Sequence, residues 1–486
     1  MNFSSSSAAA PKRALAYMAG RTTTTFLPLI QKMITQLGSQ LEEFTFVIGD
    51  LHHYRWARSQ PLDSRIKLLY QHENFNPFQQ PPQPDMKRLA LFEEKYGAPH
   101  LWRYVLAQQI IRGLSYEAKC AYLQSYLEYF DSLFQRIQPD LLLTGNPDSL
   151  PFLIAHEVFK RNGVLTLVLA PSRIPGRFHV IDNEMEQIPH LSENYQALKN
   201  QPLTEDERLL AADVRSAYQK RLRPSYFRRG PRLRALPSPI KMIRSQWQRF
   251  RRQDWYFEVR PMDNVRNGLA CRFRWPFQRF DMKRLTSSCP SDGRFFYYPL
   301  QYEPEFSIDV LGTSCLDQLQ VIQRISAALP AGYLLCLKEH PNMFPGRRPL
   351  GFYRKVVRLG NVRLMDSLID GYDLIEKCRG VITISGTAGF EALFYGKPVL
   401  LFGQAFYQSF PDGVFQAGSY EQLAQVLGEM TSFPGFDPGH LDRFVVELCK
   451  RSYPGAFEDT LPEMTNPQNP LAIAQGVLSE LRFRLS

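Results

Sequence analysis

The stretch Val381-Ile382-Thr383-Ile384-Ser385-Gly386-Thr387-Ala388-Gly389-Phe390-Glu391-Ala392-Leu393 decides how this chain is read. Its first four residues predict a buried β-strand, Ser385-Gly386-Thr387 a tight turn, and the remainder a helix. Such a turn leaves backbone N–H groups and two hydroxyls at a helix N-terminus, where the helix dipole favours a phosphate. Upstream, the apolar run Leu334-Leu335-Cys336-Leu337-Lys338 ends in Glu339-His340-Pro341. In an open α/β sheet both strand ends face one crevice. The pattern predicts a phosphorylated, nucleotide-linked ligand.

Working outward, strand and helix signals alternate on both sides of this stretch. Strands are expected at 294–299, 333–338, 362–365, 381–384 and 398–402, with helices at 315–329, 367–378, 387–395 and 420–430. The N-terminal part repeats the pattern. Strands are expected at 13–18, 44–48, 140–144 and 164–169, and helices at 22–37 and 147–161. Residues 60–135 read as mostly helical, broken by a Pro/Gln-rich loop at 76–84. Such alternation predicts parallel βαβ units and an α/β fold. The expected organisation is a Rossmann-like acceptor domain over 1–183 and a helical, basic linker over 184–290. A second Rossmann-like domain follows over 291–470, with a C-terminal helix over 471–486 that returns to the first lobe.

Composition narrows the classes. The chain has 486 residues with 44% hydrophobic and 22% charged, enough for a large globular core. No apolar run reaches the roughly 20 residues that span a bilayer. Residues 1–10 are Ser/Ala-rich without an apolar h-region, so a secretory signal is not expected. Seven scattered cysteines with no Cys-x-x-Cys spacing fit reduced thiols in a cytoplasm, not a zinc site or a disulfide frame. The net charge of +11 suits an anionic partner. From Lys220 to Gln253 there is no acidic residue, and Arg and Lys interleave with Tyr226, Phe227, Trp247 and Phe250. The run has no reading helix or RNP-type motif, so nucleic acid is not the expected partner. An anionic membrane surface or an acidic glycan is.

Several side chains stand where chemistry would occur. Pro341 fixes the chain after His340 and presents the imidazole at a strand end, where it can donate to a phosphate oxygen. Lys338, two residues earlier, lies on the same side of an extended strand. Gly386 permits close approach of a ligand. Phe390, Leu393 and Phe394 form the helix face that packs on the sheet, which leaves Ala388 and Glu391 on another side. A carboxylate there can accept ribose hydroxyls. Gln301 emerges at the end of the 294–299 strand.

Four motifs, in this order, resemble the bacterial capsule polysaccharide biosynthesis glycosyltransferases, a group that includes Kdo transferases. They are Tyr297-Tyr298-Pro299-Leu300-Gln301 with Glu303-Pro304-Glu305, then Lys338-Glu339-His340-Pro341, then Val381 to Leu393, then Gly396-Lys397-Pro398-Val399-Leu400-Leu401-Phe402-Gly403. The resemblance covers residues 290–405. It implies a GT-B-like fold, two Rossmann-like doubly wound lobes facing a central crevice, with the donor held mainly by the second lobe. His340 is the implied catalytic group. Lys338, Pro341, Gln301, Ser385, Gly386, Thr387, Ala388 and Glu391 are the implied nucleotide-sugar contacts. The implied donor is CMP-Kdo or a similar nucleotide-sugar, with no metal and no other cofactor.

The first lobe departs from the family pattern. Its last strand is followed by Ala170-Pro171-Ser172, where relatives carry an acidic catalytic motif. Ile174-Pro175-Gly176-Arg177-Phe178-His179-Val180-Ile181-Asp182 looks like a Pro-Gly…Asp variant, and Asp182 is the candidate acid/base or nucleophile. His179, Asp148 and Asp140 are the fallbacks, Asp140 being better explained as a cap at a strand start. The expected function is transfer of a sugar to a lipid-linked or polysaccharide acceptor, in the cytoplasm or on the inner face of the plasma membrane. A CDP-polyol phosphotransferase and a non-catalytic nucleotide-sugar scaffold are the alternatives.

Overall fold

A computed structural model of the chain describes all residues except 1–10, 21, 74, 76–82, 98–99, 109–110, 112, 222–237, 253–260, 304, 344–345, 457–465 and 467. Two compact units emerge. The first comprises 1–184, 244–263 and 452–486, and the second comprises 185–243 and 264–451. Much of the Lys220–Gln253 basic run, most of the 76–84 loop and Pro304 of the first motif lie outside the described residues.

Unit 1 is built on β1 (Arg13–Met18), β2 (Glu43–Ile48), β3 (Ile66–Tyr70), β4 (Leu141–Gly145), β5 (Leu165–Pro171), β6 (Arg177–Ile181) and β14 (Tyr453–Pro454). Their order across the sheet is β14-β6-β5-β4-β1-β2-β3. The five strands from β3 to β5 run parallel, while β6 is antiparallel to β5 and β14 to β6. Parallel strands covered on both faces need near-continuous apolar runs. Ala14 to Met18 and Phe44 to Ile48 are accordingly buried. Helix Thr22–Leu37 presents Phe26, Ile30 and Met33 to this core, and helix Asn469–Leu485 presents Ile473, Val477 and Leu481. Full burial of such side chains is worth about 1.5–3 kcal/mol each. The last helix is therefore an integral part of unit 1.

Unit 2 contains β7 (Thr286–Ser287), β8 (Phe295–Pro299), β9 (Leu334–Lys338), β10 (Val362–Met365), β11 (Gly380–Thr383), β12 (Val399–Leu401) and β13 (Val414–Gln416). Their order is β13-β12-β11-β8-β9-β10-β7, and every pairing is parallel. From β8 the chain winds outward through β9 to β10, then returns to β8's other side and winds outward from β11 to β13. That reversal is the topological switch of a doubly wound sheet, where ligands bind outside the strand carboxyl ends. The fold class is thus α/β with two doubly wound lobes.

Five strands exceed the expected set, β3, β6, β13 and the two-residue β7 and β14. β3 lies inside the stretch expected to be helical, β6 follows the Pro-Gly turn at Pro175-Gly176, and β13 adds an edge. The described residues of 185–243 cluster with unit 2. Tyr218 stacks on Phe394 with ring centroids 4.3 Å apart. Arg221 pairs with Asp373 at 2.8 Å and Glu376 at 2.7 Å. Buried Arg443 donates to the carbonyls of Gln201 and Pro202. These contacts fasten the segment to unit 2. No helix among the described residues is long and apolar enough to cross a membrane.

Candidate functional site

The switch point of unit 2 gathers the expected donor residues. Register pairs Pro299 with Lys338, so β8 and β9 end level. Gln301 follows β8, Glu339-His340-Pro341 follows β9, and Ser385-Gly386-Thr387 follows β11. Gln301 is buried, and its side-chain amide donates to Thr383 Oγ1 at 3.0 Å and to the Pro299 carbonyl at 3.2 Å. Gly386 N–H donates to the same Thr383 hydroxyl at 3.0 Å. A Cβ on Gly386 would lie 2.8 Å from both Gln301 Nε2 and Thr383 Oγ1. Glycine is needed here for closeness rather than for dihedral freedom, since its φ is −70°.

Arg348 ties the β8 and β9 loops together. It is 2% exposed and donates to Glu339 through Nε at 3.0 Å and Nη2 at 2.9 Å, and to the Gln301 carbonyl at 2.8 Å. Glu303 Oε1 sits 3.2 Å from its Nη1. The Tyr353 hydroxyl donates to Glu339 Oε2 at 2.7 Å. Burial opposes ionisation of Glu339, but Arg348, Tyr353 and the His340 N–H outweigh it and hold its carboxyl below the usual range. For Glu303 burial wins, and its carboxyl is raised despite Arg348. An unbroken chain of bonds therefore runs Thr383–Gln301–Arg348–Glu339–His340.

His340 ends that chain. Its N–H donates to Glu339 Oε1 at 2.8 Å, and its ring lies edge-on to Tyr302 with centroids 5.6 Å apart. The Asn342 N–H donates to Nδ1 at 3.2 Å. A backbone N–H can only donate, so Nδ1 is the acceptor and the ring proton sits on Nε2. Burial, with Lys338 and Arg348 adding to it and Glu339 opposing, lowers the imidazole to about pH 4. At neutral pH His340 is an uncharged donor through Nε2, not an imidazolium.

The β11 turn differs from its sequence reading in two respects. Ser385 Oγ donates to the Ser307 carbonyl at 2.6 Å, which pins the loop to the segment before β9. Helix Thr387–Leu393 has seven residues, too short for a full macrodipole. The first-turn N–H groups of Thr387 and Ala388 have no carbonyl partner within their helix, as at any helix start. Thr387 Oγ1 lies 3.5 Å from Glu391 Oε1. Lys338 is buried, and its carbonyl accepts from Leu300 N–H at 2.9 Å.

Asp182 lies in unit 1, at the end of β6. Its carboxylate accepts from Arg484 Nη1 at 2.9 Å and from Asn183 at 3.2 Å. Burial opposes its ionisation, but Arg484, Asn183 and Lys160 prevail and lower its carboxyl. The side chain thus tethers the last helix to β6. Asp140 accepts from the N–H groups of Lys12 and Arg13 at 2.8 and 2.9 Å, a cap on the β1 start. His179 is buried on β6, and Asp148 follows β4. One pair was not picked out from the sequence. Buried Asp50 at the end of β2 accepts from Gly20 N–H at 2.8 Å and lies 2.7 Å from His53 Nδ1. The Asp-x-x-His spacing across a helix N-cap is its only sequence signal.

Residues 273–420 match the family model described as Capsule polysaccharide biosynthesis protein. No curated protein matches the sequence. Among solved structures, the beta Kdo 2,7 transferase of Thermosulfurimonas dismutans KpsC is 13% identical over 74% of this chain and 90% of that chain, with a TM-score of 0.38. The beta Kdo 2,4 transferase of the same KpsC is 13% identical over 63% and 79%, with a TM-score of 0.31. The UDP-GlcNAc 2-epimerase of Neisseria meningitidis, bound to UDP-GlcNAc, is 11% identical over 96% and 100%, with a TM-score of 0.29. Similarities this low place no residue and name no ligand for this chain. The stretch that matches the capsule polysaccharide biosynthesis family model, residues 273–420, holds Gln301, His340 and the Ser385-Gly386-Thr387 turn.

Proposed function

We propose that the protein is a glycosyltransferase that moves a sugar from a nucleotide-sugar, Kdo from CMP-Kdo being the donor implied by the motif resemblance, to a polysaccharide or glycolipid acceptor. The observation that carries this reading is the uncharged His340, its Nε2–H donor fixed by Asn342, at the switch point beside Gln301 and the β11 turn. Departure of a nucleotide leaves charge on a phosphate oxygen. Fixed donors aimed at that oxygen stabilise the transition state without reorganising. His340 Nε2–H and the Thr387 hydroxyl are the proposed donors, Lys338 adds positive charge, and Glu391 orients the ribose. Pro341, Gln301, Ser385, Gly386 and Ala388 shape the pocket. This set neutralises the phosphate without a metal.

Transfer also needs a group that takes the acceptor's proton. Asp182 can do so only on release of Arg484. His53 has the better arrangement: its Nδ1–H faces Asp50, an acceptor that already holds Gly20 N–H, which leaves Nε2 as a base. Basic helices serve an anionic membrane surface. Helix Pro239–Arg252 exposes Ile240, Ile243 and Trp247 beside Lys241 and Arg244, and helix Pro261–Leu285 exposes Leu269, Phe273, Phe277 and Phe280 among arginines. Apolar stripes flanked by cations suit the headgroup boundary of acidic lipids.

Incubation with CMP-Kdo and separation of products tests the reading. Slow, enzyme-dependent release of CMP without acceptor is expected, reduced about 100-fold or more in His340→Ala. His53→Asn and Asp182→Asn assign the base, since the variant that removes it loses transfer but keeps nucleotide binding. Intact donor after prolonged incubation, with nucleotide still bound, would favour the scaffold reading instead.

A further inference from the structure

We propose that unit 1 contains a binding site for a divalent transition-metal ion, formed by His156, Glu157 and Glu184. His156 and Glu157 are neighbours on helix Leu150–Arg161, and Glu184 lies three residues beyond the end of β6. One ligand atom from each lies within 4.8 Å of the others. The three residues are 1%, 7% and 7% exposed, so this is no surface cluster of acids.

The tautomer of His156 points to the ligand. Its Nε2 lies 3.1 Å from the Asp182 carbonyl oxygen. A carbonyl only accepts, so Nε2 carries a proton, and in the neutral ring Nδ1 presents a lone pair. Among the described residues no hydrogen-bond partner reaches Nδ1. Glu157 Oε1 stands 3.8 Å from it, and a carboxylate oxygen is another acceptor. A buried lone pair that faces carboxylate oxygens is unfavourable until a cation stands between them. Metal-bound histidines show this arrangement, with the remote ring N–H on a backbone carbonyl.

The surroundings fix the other ligands. The Tyr104 hydroxyl donates to Glu184 Oε1 at 2.6 Å, and Lys160 donates to the Asp182 carbonyl at 2.9 Å. Arg161 Nε lies 3.5 Å from Glu157 Oε2, and Arg103 donates to the Tyr104 hydroxyl at 3.0 Å. These cations balance part of the carboxylate charge at the rim, yet none of them supplies a donor to Nδ1. One imidazole and two carboxylates suit Zn²⁺ or Mn²⁺ rather than Ca²⁺ or Mg²⁺, which favour all-oxygen shells. With bonds of about 2.1 Å, ligand atoms around Zn²⁺ stand about 3.4 Å apart. Small side-chain rotations close the difference from 4.8 Å, and water completes the shell. The chain leaves unit 1 immediately after Glu184. The ion would staple that exit to the helix. It is structural, and independent of the donor chemistry proposed above.

The test uses the full chain, stripped with a chelator and then given ZnCl₂ or MnCl₂ alone. About one ion per chain should survive gel filtration by elemental analysis, with thermal unfolding raised by a few degrees. Glu184→Gln keeps an acceptor for Tyr104, and His156→Gln removes the ring lone pair. Both should fold by circular dichroism yet lose the ion and the shift. If His156→Gln fails to fold, Glu184→Gln decides. A wild-type chain that retains neither ion, or Glu184→Gln that retains it as well as wild type, overturns the proposal.

Discussion

Arg348 shows how much of the site depends on a residue that touches no proposed ligand. Its guanidinium holds the buried Glu339 carboxylate, the half-buried Glu303 carboxylate and the Gln301 carbonyl. Arg348→Met leaves Glu339 and Glu303 without their counter-charge, and should destabilise unit 2 by about 3–5 kcal/mol in denaturant unfolding. His340 predicts a pH dependence. The unfolded imidazole takes up a proton near pH 6.5, whereas the folded one resists until about pH 4. The unfolded state thus binds more protons in that window, so stability falls as pH drops through it. From pH 6.5 to 4.5 the wild type should lose on the order of 2 kcal/mol more than His340→Asn. His340 was legible in the sequence because Pro341 and a preceding apolar run mark a strand end. Arg348 was not. Nothing in Gly346-Arg347-Arg348 tells which arginine is buried, and its partners Gln301 and Glu303 lie on another loop.

At the level of elements, strong periodic segments were legible and short ones were not. β1, β10 and helix Thr22–Leu37 carry the bounds their patterns suggest. β13 has three residues, below the length at which alternation is readable. β3, Ile66-Lys67-Leu68-Leu69-Tyr70, has an apolar run that helix and strand share, and only its pairing with β2 decides. The Ser385 hydroxyl read as a ligand contact, but its bond to Ser307 depends on a segment 78 residues away. The exposed stripe on helix Pro239–Arg252 makes its own prediction. The protein should sediment with vesicles rich in phosphatidylglycerol and much less with phosphatidylcholine vesicles, and Ile243→Asp with Trp247→Asp should weaken sedimentation at least tenfold. Equal sedimentation with both vesicle types, or none with either, would contradict a role for acidic lipids.

Across the whole molecule, two doubly wound sheets were legible because their alternation is repeated, and so was the return of the last helix to the first lobe, but the start of that return at Ser452 was not. Residues 452–486 belong to unit 1 because Ile473, Val477 and Leu481 complete a core begun by Phe26 and Phe44. That pairing spans the length of the chain and leaves no local mark. The same non-locality places β8, β9 and β11 side by side, which brings Gln301, His340 and Gly386 to one edge of unit 2. The central claim is that this edge grips the phosphate of a cytidine nucleotide. Thermal unfolding with CMP, CDP, UDP and GDP, on the wild type and His340→Ala, tests it most directly. CMP should stabilise the wild type more than the other three, and the gain should vanish in the variant. Equal response to all four nucleotides, or a CMP shift that His340→Ala preserves, would contradict it.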